Sequence, residues 1–160
     1  MSRSEVLDTI KSRVGEENLS QSHGREGCRV YMDGVPSPRV TVDADLAFPA
    51  HGIEGSRCDL ILFLLDSEGR LLSVPIELKG GNVDASEAHG QLQEGANFAT
   101  RVALRGFDSV CHPILFYGKR IHQKQLRRLN RLKVSFRGQQ LTVKIARCSH
   151  PGNLALALMR

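Results

Sequence analysis

Residues 59–79 read DLILFLLDSEGRLLSVPIELK, and the fold follows from this stretch. Asp59 opens a continuous apolar run to Leu65, as expected of a short strand covered on both faces. Ser67-Glu68-Gly69 has turn chemistry, and the chain returns from Leu71 to Lys79. On that return Leu72, Val74, Ile76 and Leu78 share one face, which leaves Glu77 and Lys79 together on the other. Pro75 has no N–H to give a ladder, so it requires a bulge or an unpaired edge at its position. A hairpin turning at 67–69 brings Asp59 opposite residues 77–79. Two carboxylates and an ammonium then meet at one end of a sheet.

The flanking sequence supplies the remaining layers. Val6, Leu7, Ile10 and Val14 have helical spacing within residues 3–17, and short strands are expected near Cys28–Met32 and Arg39–Val42. Residues 45–56, with Pro49, Gly52 and Gly55, read as loop. After Gly80-Gly81 a helix is expected from Ala85 to Val102, opened by Asp84 and Glu87 as a variant capping box. Its small residues Ala88, Ala96, Ala99 and Ala103 suit close packing on a sheet. Gly90 and Gly95 make sense there if a strand or a substrate approaches closely. A strand at 112–117, a basic helix at 120–131, a hairpin of 133–136 with 141–145, and a short helix at 154–159 complete the chain. No repeat or linker divides it, so a single domain over residues 1–160 is expected.

The carboxylates and the lysine have a chemical use. Asp59, Glu77 and the main-chain carbonyl of Leu78 are oxygen donors suited to Mg2+ or Mn2+. Such a cation polarises a phosphate oxygen and acidifies a bound water, which Lys79 could position. An Asp opening one strand and Glu-x-Lys closing the next resembles the PD-(D/E)XK phosphodiesterase superfamily, and seventeen residues separate Asp59 from Glu77. The resemblance covers about residues 3–117 and implies a restriction-endonuclease-like αβββαβ core, an α/β fold with a mixed sheet flanked by helices. It implies metal-dependent hydrolysis of phosphodiester bonds, with Asp59 and Glu77 as ligands and Lys79 beside the attacking water. It also implies a helper glutamine on the following helix, placed here at Gln91, and a homodimer with two sites for two strands. Cys58 stands where the family name has Pro, and Gly95 occupies the Tyr position of one branch's Q-x-x-x-Y pattern. An upstream acid often joins such sites, and Glu5, Glu16, Glu17 and Glu54 are the available ones.

Charge is distributed unevenly. Residues 109–160 hold eleven Lys or Arg and no acid, a segment charge of +11, while the first 108 residues carry −6. Arg120, Lys124, Arg127, Arg128 and Arg131 follow helical spacing and form one cationic stripe, fit for phosphate contacts without sequence reading. Lys133, Arg137, Lys144 and Arg147 could extend it. With 5% aromatic residues and no Trp, the chain has few stacking platforms.

These features point to a metal-dependent endonuclease acting on nucleic acid, DNA before RNA, with branched or foreign DNA as plausible substrates. The alternative is a catalytically silent binding or adaptor module on the same fold. No apolar run approaches the roughly eighteen residues that span a bilayer, and no secretory h-region opens the chain. A cytoplasmic protein without membrane contact is expected. Its four cysteines would then be small buried hydrophobes. A zinc site from Cys111, His112, Cys148 and His150 would lack the usual paired spacing.

Overall fold

The computed structural model describes residues 2–25 and 27–160. Helix α1 (Arg3–Val14) starts at a complete capping box in which Ser2 and Glu5 satisfy each other's main-chain N–H. It ends at Gly15, whose φ of 96° breaks the helical path, so residues 16–18 form a separate 3-10 turn rather than the last turn of the expected helix. Short strands β1 (Gly24–Arg25) and β2 (Cys28–Arg29) pair with each other.

The main sheet follows. Strand β3 (Arg39–Asp43) leads directly into helix α2 (Ala44–Ala50), where a loop was expected. Asp43 caps that helix through the Asp45 N–H, and Ala44, Ala47 and Phe48 bury one side of it. Pro49, Gly52 and Gly55 mark where the helix stops, not an absence of structure. Strands β4 (Leu60–Leu65) and β5 (Leu71–Lys79) form the expected antiparallel hairpin, with Leu60 opposite Ile76. Helix α3 (Ala85–Val102) follows, then β6 (Ser109–Cys111) and β7 (Ile114–Tyr117), both parallel to β5. Pro75 lies where β5 passes from β6 to β7, so its missing N–H falls in a gap of the ladder.

Helix α4 (Gln123–Arg131) precedes β8 (Lys133–Phe136) and β9 (Gln139–Thr142). The hairpin expected at 133–145 is thus shorter. Residues 144–147 leave it as β10 (Lys144–Arg147), which joins β7 in parallel. The isolated β8–β9 pair has α3 to cover it, while β10 gains a place in the sheet. Helix α5 (Asn153–Leu158) closes the chain. The order across the sheet is β10-β7-β5-β4-β3, a mixed sheet with helices on its faces.

The two faces have separate cores. Ile61, Phe63, Leu65, Leu71 and Leu115 pack beneath α1, α2 and α3, and Leu60, Leu62, Leu64, Val74, Ile76 and Phe116 pack beneath α5 and the segment around β2. Each strand therefore alternates between two apolar layers, which explains the unbroken run in β4. No described helix is long and apolar enough to cross a membrane.

Cys58 and Cys111 are buried thiols, as expected, but Cys28 and Cys148 form a disulfide across 120 residues. This corrects the reading of all four as free, and it removes Cys148 from any zinc site. Spacing along the chain carried no hint of it, because the two meet only through the return of β10 beside β7. Ser149 and Asn153 hold the same junction: the Ser149 hydroxyl donates to the Gly27 carbonyl, and the Asn153 amide donates to Arg29 and Arg147 carbonyls.

Gly95 is explained by close packing. A Cβ there would lie 2.7 Å from Cys58 Sγ and 2.8 Å from Pro75 Cβ, whereas one on Gly90 would meet nothing. Gly95→Ala should therefore lower the thermal midpoint, because overpacking of about 1–3 kcal/mol outweighs the helix gain. Gly90→Ala should raise stability by up to about 1 kcal/mol. Calorimetry on both variants checks the pair, and equal shifts would contradict this packing. Replacing both Cys28 and Cys148 by Ser should cost about 2–5 kcal/mol, read by denaturant unfolding.

Candidate active site

The strand ends determine what can meet. β4 begins where β3 and β5 finish, so Asp43, Asp59 and Lys79 lie at one end of the sheet, with the ends of β7 and β10 beside them. Asp59 continues the ladder just before β4: its N–H donates to the Ile76 carbonyl at 3.0 Å. Its carboxylate Oδ2 accepts the Leu78 N–H at 2.7 Å. That bond holds Asp59 across the end of β5 and puts the Leu78 carbonyl on the same strand edge.

Glu77 is buried, on the face turned toward α3, close enough to Asp59 to feel its charge. Lys79 Nζ lies 3.1 Å from Glu77 Oε2. The structure thus brings Asp59, Glu77 and Lys79 together, as the hairpin predicts. Burial, and then the charge of Asp59, push Glu77 up to about 8, against the opposing pull of Lys79. Burial works against the charge of Lys79, but Glu77 and Glu87 outweigh it and hold that ammonium above its ordinary value. Cys58, beneath the pair, is raised well above the ordinary thiol range by burial and by the two carboxylates.

Helix α3 runs back along β5 and contributes a matching row. Glu87 Oε1 lies 3.3 Å from Lys79 Nζ, and Gly95 packs on Pro75. Gln91, midway between Glu87 and Gly95, therefore faces the level of Glu77, midway between Lys79 and Pro75. Its Oε1 is buried without a partner, and so is Glu77 Oε1. Gln93 has a different task, bridging α3 to β8 through both the N–H and the carbonyl of Ser135.

Glu87 was legible only as half of a capping box. Asp84 does cap the Glu87 N–H, but the Glu87 carboxylate turns to Lys79 instead of returning to the helix start. Its position one helical turn before Gln91 was the available signal. The upstream acids stay apart. Glu5 is used in the α1 capping box, at the end where Arg3 meets the β4–β5 turn through the Asp66 carbonyl. Glu16, Glu17 and Glu54 are exposed.

Two buried oxygens without a partner atom are costly unless a shared proton, a cation or water satisfies them. The donors present suit a hard divalent ion, which takes one or two carboxylates and fills its other positions with water and phosphate. Among the described residues, no three His, Cys, Asp or Glu side chains gather around one point, so the protein's share is limited to this pair and neutral oxygens.

The stripe residues Arg120, Lys124, Arg127, Arg128 and Arg131 are all exposed on and before α4. Gln125 ties that helix to the start of α3 by accepting the Ala85 N–H, and the Gly118 N–H donates to the Lys79 carbonyl. The stripe therefore begins beside the carboxylate end of the sheet. Three of the residues expected to extend it have main-chain partners. Lys133, Arg137 and Lys144 bond main-chain carbonyls of Asn130, of Leu104 and Phe107, and of Ala157 and Arg160.

No family model, curated protein or solved structure matches this chain.

The raised Glu77 value makes a stability test possible. Unfolded, Glu77 loses its proton near 4.5; folded, it keeps it to about 8. Between those values the folded state binds the extra proton, so stability falls as pH rises. Glu77→Gln cannot ionise and should gain on the native protein from pH 5 to pH 8, by several degrees in thermal midpoint at the upper end. A midpoint difference that stays constant with pH would contradict a buried, proton-holding Glu77.

Proposed function

We propose that this protein is a divalent-metal-dependent nuclease of the PD-(D/E)XK type, hydrolysing phosphodiester bonds in nucleic acid. The observation that carries the reading is the convergence of Asp59, Glu77 and Lys79 at one strand end, with unsatisfied Glu77 and Gln91 oxygens beside them. The element order supports it as well. Helix α1, strands β3, β4 and β5, α3 and the parallel strand β7 can be laid on the αβββαβ order of a restriction-endonuclease-like core, with β1–β2, α2 and β6 as additions to it.

In this reading Asp59 and Glu77, with the Leu78 carbonyl, hold Mg2+ or Mn2+. When bound, the cation polarises a phosphate oxygen and lowers the pKa of a coordinated water. Asp59 is oriented by the Leu78 N–H, so the ligand geometry belongs to the β4–β5 ladder and needs no loop movement. With Glu77 committed to a cation, Lys79 would still have Glu87 as a partner and could position water or offset phosphate charge. Gln91 contributes a neutral oxygen or amide donor from α3. The α4 stripe supplies contacts to the phosphate backbone. The closed hairpin register around all three residues favours this reading over a silent adaptor, because burying Glu77 beside Asp59 costs stability that binding alone does not require. DNA is the first substrate to try, and a homodimer would serve duplex cutting.

Incubation with linear, supercoiled, branched and single-stranded DNA, and with RNA, with and without Mg2+ or Mn2+, tests the proposal. Cleavage should require the metal, and Glu77→Gln, Asp59→Asn or Lys79→Ala should each reduce it by about a hundredfold or more. Undiminished cleavage by Glu77→Gln would sink the mechanism. Binding without cleavage under every condition would favour the adaptor.

A further inference from the structure

The row of residues that contains Lys79 continues across the sheet. Lys79 pairs with Tyr117 on β7, and Tyr117 pairs with Arg147 on β10, at a spacing of about 5 Å per strand. All three are on the face that carries Glu77, since Tyr117 and Ile145 pack on the core beneath α3. The Arg147 guanidinium lies over the Tyr117 ring, 5.5 Å from its centroid. Between this pair and the start of α4 is a cavity of about 370 Å³, lined by Tyr117, Ile121, Leu126, Ile145, Arg120 and Arg147. Its floor is aromatic and aliphatic, and its charge is two guanidiniums. Neither has an acidic partner among the described residues.

That combination fits a planar, weakly polar ring joined to a phosphate. A purely apolar ligand would leave both guanidiniums without an anion. An acidic peptide would pair them and leave the floor unfilled. The cavity lies one to two strand spacings from Lys79, comparable to the step from one nucleotide to the next.

We propose that this cavity binds one unstacked nucleotide of a single strand, adjacent to the phosphate that would sit at Lys79 beside the Asp59–Glu77 pair. The placement rests on the nuclease reading above. The base lies against Tyr117 and the Arg147 plane, and Arg120 and Arg147 take its phosphates. A base inside a duplex presents its face to its neighbours and must be pulled from the stack to enter, so the cavity selects single-stranded segments, ends or flaps. One site is enough for such a substrate, and a homodimer is not needed.

Fluorescence anisotropy without metal, in EDTA, separates this proposal from cleavage. The probes are a labelled single strand of about twelve nucleotides, as DNA and as RNA, and a duplex of the same length. The single strand should bind about tenfold tighter than the duplex, and Arg120→Ala with Arg147→Ala should erase that preference. Tyr117→Leu, which keeps an apolar side chain, should weaken single-strand binding about fivefold or more and leave duplex binding unchanged. Arg137→Ala, at the far end of α3 and bonded there to main-chain carbonyls, is a single-charge control and should leave the preference for the single strand unchanged. Equal or tighter duplex binding, or a single-strand affinity indifferent to Tyr117 and Arg147, would overturn the subsite. Metal-dependent cleavage confined to duplexes sinks the subsite alone. Tight single-strand binding that depends on Tyr117 and Arg147, with no cleavage in metal, sinks the nuclease reading alone.

Discussion

Two carboxylates are held against each other at the end of the β4–β5 pair, in a place where burial opposes the charge of Glu77. Only a rigid frame keeps such groups together. The frame is the antiparallel register: Asp59 donates to Ile76 and accepts from Leu78, so it cannot move away without breaking two ladder-like bonds. Lys79 partly offsets the repulsion, and Glu87 on α3 in turn fixes Lys79. The cost of the cluster is carried by the two cores that clamp the sheet from both faces. Slipping β5 by one residue would send Glu77 into the opposite apolar layer and Leu78 toward α3. The site and the fold are therefore specified by the same pairing.

Helix α3 is adapted to this end of the sheet along its length. Its stripe changes from Glu87 through Gln91 to Gly95 as its sheet partners change from Lys79 through Glu77 to Pro75. Charge faces charge, a neutral amide faces the buried carboxyl, and a bare backbone faces the rigid Pro75 ring and Cys58. The closest approach at Gly95 brings the helix low enough for Gln91 Oε1 to be buried on the Glu77 side of the sheet. A larger residue at 95 would lift the helix and open the site to water, which would weaken every electrostatic interaction within it.

The parts that could be read in advance are those set by local pattern. The apolar run of β4, the period-two alternation of β5 and the 3.6-residue stripe of α3 each depend on neighbours within one element, and the meeting of Asp59 with Glu77 and Lys79 needed only a short hairpin. Residues 44–50 escaped because Pro49 and two glycines dominate a short segment, while the cap and burial that make it helical come from Asp43 and the adjacent core. The Cys28–Cys148 bridge and the Tyr117–Arg147 stack depend on β10 joining β7, a contact that no spacing within the chain expresses. Glu87 was misassigned for a related reason. The capping pattern is local, and the competing partner Lys79 belongs to another element.

The basic tail shows why a charge total is a poor measure of a binding surface. Of its eleven cations, Lys133, Arg137, Lys144 and Arg160 donate to main-chain carbonyls and hold the C-terminal strands and helix in place. Arg147 is laid over Tyr117, while the five residues of the stripe remain exposed on the α4 side. Cations already bonded to carbonyls keep their charge but lose freedom to follow a phosphate chain, so their contribution is a diffuse field rather than specific contacts. What remains is the exposed Lys119 and the α4 stripe, which with Arg147 lie near the sheet end that carries Lys79. These exposed cations lie toward the end of the sheet that carries the buried Glu77 and the half-buried Asp59. In the proposed nuclease reading, that placement sets the attraction for a polyanion beside the groups that would act on it.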